Sequence, residues 1–213
     1  MLKKILLFII FSLLVYIILV RPWILHMGAT GQEVAAAMPG DGLVVSPNVE
    51  YTQAVTIHAP REIVWKYLVQ IGYQRAGWYN WDFINRMSDK NYFYEGNKSA
   101  DRIIPELQQL QAGDMVYLTP QLGMKAEVVE PSQNLILTGR EEARYLVVWS
   151  YLLKDLGNDD TRLLVRWTSN QNEGLGLKLI NFLLIEPGGA GIQQSQMIKG
   201  IKVRAERDYQ AMN

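Results

Sequence analysis

A short strand that runs through a proline directly into an amphipathic helix constrains this chain more than any other stretch. After Pro60, the residues Ile63, Val64, Tyr67, Leu68 and Ile71 recur at helical spacing as one apolar stripe. Proline suits the first helical position, because its missing N–H has no intrahelical partner there and its fixed φ is already helical. Upstream, Tyr51, Val55 and Ile57 fall on one face of an extended run and Thr52, Ala54 and Thr56 on the other, with Gln53 alone off the pattern. A half-buried strand over 51–57 therefore feeds a helix over 60–71 that must lie on something apolar.

The rest of the chain supplies that surface. Runs at 115–118, 124–130, 135–139, 146–153 and 161–169 are apolar or alternating, and Thr119-Pro120, Pro131 to Asn134, Arg140 to Glu142 and Gly157 to Asp160 separate them. Connections this short join antiparallel neighbours. In the last run Leu163, Val165 and Trp167 alternate with Arg162, Leu164, Arg166 and Thr168, so one side faces the core. A short helix is predicted over 78–87. The period does not decide between strand and helix for 175–185, and Glu186-Pro187-Gly188-Gly189 is expected to break the chain. A final helix is predicted over 192–209, with Met197, Ile198, Ile201, Ala205 and Tyr209 at near-helical spacing. Residues 26–50 are dense in Gly and Pro and read as a connector with one short helix near 33–38.

The strand-proline-helix unit resembles the opening of the START-like, helix-grip superfamily (the SRPBCC group), which includes polyketide cyclases, aromatase-type cyclases, birch-pollen-allergen-like proteins and lipid-transfer START domains. Gly28-Ala29-Thr30 with Glu33, then Pro39-Gly40-Asp41 and Leu43-Val44, resemble the lead-in of one bacterial branch. Gly77-Trp78-Tyr79-Asn80-Trp81-Asp82 and the string from Ala100 to Gln108, ending at Gly113-Asp114, resemble its later signatures. Together they cover most of 28–213 in order. The resemblance implies an α+β helix-grip fold: a curved antiparallel sheet wrapped around a long carboxy-terminal helix. It leaves function open, because this scaffold hosts carriers, cyclases and binding modules.

Ahead of that domain, Ile5 to Val20 is an uncharged run of Leu, Ile, Phe and Val broken by Ser12 and Tyr16, with Lys3 and Lys4 before it and Arg21 after it. If Pro22 to Leu25 extends the run, it reaches the ~20 residues that span a bilayer, with Trp23 as an interfacial anchor. A cleaved secretory signal has an apolar core of about 7–15 residues and a small-residue cleavage site, and Arg21-Pro22-Trp23 is a poor one. The expected organisation is a transmembrane anchor over 1–25, a connector over 26–50 and a helix-grip domain over 51–213. Lys3, Lys4 and the terminal amine against Arg21 keep the amino terminus in the cytoplasm and place the domain on the outer side of a single-pass membrane protein.

Composition narrows the chemistry. Lys plus Arg equals Asp plus Glu at 21 each, so no net field favours nucleic acid as a partner. Without cysteine there are no disulfides, thiolate metal sites or cysteine nucleophiles, and His26 and His58 are isolated, so neither a metal nor another cofactor is expected. Ten of the thirty residues from Trp65 to Tyr94 are aromatic, a density that fits either ordinary core or the wall of an apolar ligand cavity. Trp65, Tyr67 and Phe83 fall in helical segments and read as core. Trp78, Tyr79 and Trp81, beside Gly77, are the candidates for lining a site, with Asp82, Arg102 and Glu106 as the polar groups that could meet a ligand or form structural ion pairs. The function read from these features is a membrane-tethered binding domain for a hydrophobic small molecule or lipid, without catalysis. The alternatives are a cyclase or dehydratase acting in the same cavity and a structural or regulatory module that binds a membrane protein.

Overall fold

In the computed structural model, which describes residues 2–170 and 174–212, the chain opens with one helical rod, Leu2–Leu25. The rod comprises α1 (Leu2–Val15), a wider turn over Tyr16–Val20 and α2 (Arg21–Leu25). The residues of α1 are exposed over 2–14, and Val15 is half-buried. A short α3 follows (Gly31–Ala35), starting earlier than the expected 33–38 because Thr30 and Glu33 form a reciprocal capping box at its amino end.

Six strands then build one antiparallel sheet: β1 (Val49–Ile57), β2 (Met115–Tyr117), β3 (Gly123–Glu130), β4 (Asn134–Glu141), β5 (Arg144–Gly157) and β6 (Asp160–Ser169). Their spatial order is β1-β6-β5-β4-β3-β2, with register shifts in β3/β4, β4/β5 and β5/β6 where the sheet bends. Between β1 and β2 lie α4 (Arg61–Val69) and α5 (Asp82–Ser88). Pro60 stands one place earlier than expected: its ψ of 146° is extended, and its carbonyl accepts from the Ile63 and Val64 N–H groups as the residue that caps α4. The second helix starts at Asp82, not at 78, because Tyr79 has φ +55° and a left-handed residue cannot continue a right-handed helix.

The largest departure from the sequence reading is at the carboxy end. Glu186-Pro187-Gly188-Gly189 does not break the chain. Helix α6 (Leu175–Ile180), a wide-turn segment over Asn181–Gly191 and α7 (Ile192–Gln210) run on as one helix, in which the Ile192 N–H reaches back five residues to the Pro187 carbonyl. Proline removes a donor and collides with the carbonyl four residues earlier, and the wider turn relieves both problems. Both the 2–25 and 175–210 helices are long and apolar enough to cross a membrane.

Helices α4 and α7 cover one face of the sheet. Ile57, Leu135, Leu137, Tyr151, Leu163 and Val165 from the strands meet Val64, Leu68, Ile198 and Ile201 there in the main core. This is the helix-grip fold. The opposite face is buried too, by the 26–50 segment. Met38 packs on Ala54 and Leu164, and Val44 on Ile136 and Val148. Arg166, on that face of β6, is almost fully buried and fastens the segment: it donates to the Asp41 carboxylate (2.7 Å), the Thr52 hydroxyl (2.8 Å) and the Val34 carbonyl (2.8 Å). Arg162, four residues earlier, clasps Glu33 at 2.7 and 2.8 Å.

Candidate functional site

Between the sheet, α5 and the long carboxy-terminal helix lies a cavity of about 430 Å³. Its floor is buried and mostly aromatic: Tyr51, Trp78, Tyr92 and Trp149, with Met197 and Gln194 from α7. Its rim combines Ile84 and Ser88 of α5, Leu118 and Thr119 after β2, and Ile185, Gly189 and Ala190 of the wide-turn helical segment.

Strand register makes the aromatic floor. Tyr51 of β1 pairs across from Trp167 of β6, which pairs across from Trp149 of β5, so three large rings lie in one row on the core face. Trp149 meets Trp167 edge-on at 5.4 Å and stacks on Trp78 at 5.1 Å with the planes 15° apart. Trp78 reaches this position because the chain doubles back at Gly72 and Gly77, which bridge each other. Gly77 has φ +78°, and a Cβ there would fall 2.5 Å from Ser99 Oγ and 2.8 Å from the Phe93 ring, so only glycine fits this turn.

The polar groups are amides. Trp149 Nε1 donates to Gln194 Oε1 (2.8 Å), and Gln194 Nε2 donates to Gln53 Oε1 (3.3 Å). The Gln53 amide in turn donates to the Ile24 carbonyl (2.7 Å) and the Gly191 carbonyl (2.9 Å). This is why Gln53 breaks the apolar pattern of its strand. It is fully buried on the core face and ties the cavity wall to the end of the amino-terminal helix. Asn85 donates to Asn80, and Asn80 to Gln193, along the rim. Burial pushes the Tyr51 and Tyr92 hydroxyls upward from the usual phenol range, and the Glu186 charge adds to the effect on Tyr51, so both stay neutral phenols near pH 7. Among the described residues that line the cavity there is no carboxylate, imidazole, ammonium or guanidinium group.

Of the six residues singled out from sequence, Trp78 lines the cavity and the other five stand outside its lining. Tyr79 is buried beside it: its hydroxyl accepts from Gln70 (2.7 Å), Arg204 lies 4.6 Å from its ring, and Gly200 of α7 presses so closely on its backbone that a Cβ would come within 2.3 Å of the Tyr79 carbonyl oxygen. Asp82 accepts from the Ser99 hydroxyl (2.6 Å), which accepts in turn from the Tyr79 N–H (3.1 Å), so Tyr79 and Asp82 are linked through one serine. Gln70 also donates to the Arg102 carbonyl (3.0 Å), but the Arg102 guanidinium turns outward to a two-pronged pair with Glu95 at 2.8 and 3.0 Å. Trp81 is 40% exposed and stacks on Phe83, and Glu106 is exposed in the turn Pro105–Leu107. Trp149, Trp167 and Gln194 are lining residues that the aromatic-density argument did not reach. Trp149 stands opposite Trp167 only because a bulge between Asp155 and Gly157 shifts the β5/β6 register by one residue from the pairing at the turn, a shift that the turn residues alone do not signal.

The sheet, the long carboxy-terminal helix laid across it and the cavity between them make up a helix-grip fold, preceded by an apolar helix. No family model and no curated protein matches the chain. Among solved structures it is similar to a Polyketide_cyc-like protein from Corynebacterium glutamicum, at 15% identity over 76% of this chain and 90% of that one, with a TM-score of 0.35. It is also similar to the self-sacrificing resistance protein CalC from Micromonospora echinospora (15% identity, 71% of this chain, 93% of that one, TM-score 0.39). An HSP90 activator from Plasmodium falciparum is a third such structure (10% identity, 72% and 97%, TM-score 0.40).

Proposed function

We propose that this protein is a membrane-tethered binding domain for a hydrophobic small molecule or lipid, held in the cavity between sheet and grip helix without being chemically changed. The observation that carries this reading is the lining itself: aromatic and aliphatic surface with a few amide and hydroxyl groups, of a size and composition that hold and orient an apolar ligand. A cyclase or dehydratase needs an acid or base in reach of the substrate. The ionisable residues singled out from sequence are engaged elsewhere, Asp82 with Ser99 and Arg102 with Glu95.

The tether is residues 1–25, with 26–50 as a connector that packs on the sheet and 51–213 as the binding domain. Lys3 and Lys4 keep the amino terminus cytoplasmic and put the domain on the outer side. Native mass spectrometry of the full chain, released gently from its host membrane, tests the function. A bound lipophilic mass is expected. A chemically altered ligand would favour the enzyme reading, and a ligand-free protein that also ignores apolar fluorescent probes would favour a module that binds another membrane protein.

A further inference from the structure

The carboxy-terminal helix has an apolar overhang that the domain does not use. Leu177, Ile180 and Leu184, spaced i, i+3 and i+7, are all exposed, as are Leu175, Leu179 and Ile185. On the side toward the sheet rim, Lys178, Asn181 and Glu186 line a crevice together with Leu175, Leu179 and Phe182, against Asn48 and Val49. A helix that leaves Leu177, Ile180 and Leu184 outside its own domain is built to be covered by something apolar.

The amino-terminal helix identifies the cover, because the two are locked together at one level. Pro187 has no N–H, so in the five-residue turns of this segment the Phe182 carbonyl loses its intrahelical donor. The Tyr16 hydroxyl donates to the Leu183 carbonyl, and Arg21 Nε donates to the Phe182 carbonyl at 2.8 Å. Arg21 also pairs with Glu186 and lies 3.8 Å from the centre of the Phe182 ring. Tyr16 and Arg21 precede Trp23, the interfacial marker of the anchor, so Leu183 and Glu186 lie on its bilayer side.

We propose that Leu175–Ile185 is a second membrane-seated segment, held beside the anchor in the leaflet next to the domain. This inference rests on the anchor reading above. Eleven residues at 1.5 Å each reach about 17 Å, short of the ~30 Å hydrocarbon core, so the segment enters one leaflet and does not cross. Ile185 belongs both to this surface and to the cavity rim, so the rim meets the leaflet and a bilayer lipid is the ligand class within reach.

The absence of cysteine makes the test direct. Single variants Leu177→Cys, Leu184→Cys, Phe8→Cys and Leu156→Cys of the full chain are labelled with an environment-sensitive fluorophore and reconstituted into phosphatidylcholine/phosphatidylglycerol vesicles. Emission is then read with lipid-borne nitroxides and with aqueous iodide as quenchers. Loss of emission to nitroxide and none to iodide is expected at positions 8, 177 and 184, with the reverse at position 156 on the β5/β6 turn. If position 8 is quenched by lipid and 177 and 184 by iodide, the anchor stands and the second segment is refuted. If all four respond to iodide, the tether itself fails and the inference falls with it. Protection from both quenchers, with disulfide cross-linking between Leu177→Cys copies, would assign the face to a second copy and also overturn the proposal.

Discussion

Truncating Trp78 to alanine separates a cavity wall from ordinary core. Removing a packed core Trp costs about 3–5 kcal/mol, because the lost contacts leave a hole the surroundings cannot fill. Trp65, buried in α4 with the main core around it, should show that full loss. Trp78 is equally buried but one face already borders empty space, and its main partner is the stacked Trp149 ring at 5.1 Å. It should forfeit the stacking, about 0.5–1.5 kcal/mol, plus part of its burial, or about 2 kcal/mol in all. Urea unfolding of the full chain in a mild detergent, followed by far-ultraviolet circular dichroism, measures both losses. Titration with an apolar fluorescent probe, normalised to folded protein, measures the site. Trp78→Ala should weaken the probe while Trp65→Ala leaves it unchanged per folded molecule. Equal stability losses with unchanged probe binding in both variants would refute the cavity reading.

Other substitutions probe the frame around the site. Gln53→Leu removes a buried donor to the Ile24 and Gly191 carbonyls and the nearer acceptor of the Gln194 amide, and should lower stability by about 2 kcal/mol in the same urea assay. Arg166→Met leaves the Asp41 carboxylate without its partner beneath the connector; a loss of about 3 kcal/mol and new protease cleavage between 34 and 44 are expected. Glu33 is held down at about 2, chiefly by its hydrogen bonds from Arg162. A lowered carboxyl gives stability that is fully present above its unfolded value near 4.5 and drains away as pH falls toward 2. Glu33→Gln should therefore flatten the acid limb of a stability-pH curve in that window, by about 1 kcal/mol once solvent screening is allowed for. Alkaline carbonate washing should leave the full chain with membranes, and carboxy-terminal reporter fusions should be active only outside the cytoplasm.

The sheet was legible in the sequence because each strand carries its own evidence: alternation at Leu163, Val165 and Trp167, and turn residues at Gly157 to Asp160. The site was less so. Density of aromatics between 65 and 94 located Trp78, but the floor is completed by Trp149, whose ring stacks on it from more than seventy residues away, and by Trp167, which strand pairing sets beside Trp149. Density along the chain is blind to such contacts. It also drew in Trp81, whose local neighbourhood matches that of Trp78 but whose place at the start of α5 leaves it in solvent.

Pro187 shows the same limit from the other side. Every local rule makes Glu186-Pro187-Gly188-Gly189 a helix stop, since proline removes a donor and glycine offers no helical preference. The helix continues with help from a distant part of the chain: Arg21 Nε donates to the Phe182 carbonyl that Pro187 cannot serve, and the Tyr16 hydroxyl donates to the Leu183 carbonyl beside it. The same contacts fix the amino-terminal helix against the grip helix. Gln53 repeats the arrangement one turn further on, taking the Ile24 and Gly191 carbonyls together and passing the connection through Gln194 to Trp149. Two residues that break a local pattern, a proline in a helix and a glutamine in an apolar strand face, thus mark where the amino-terminal helix is joined to the cavity wall. Cavity wall and amino-terminal helix meet on one buried polar chain, so a variant that cuts it at Gln53 should loosen both ends together.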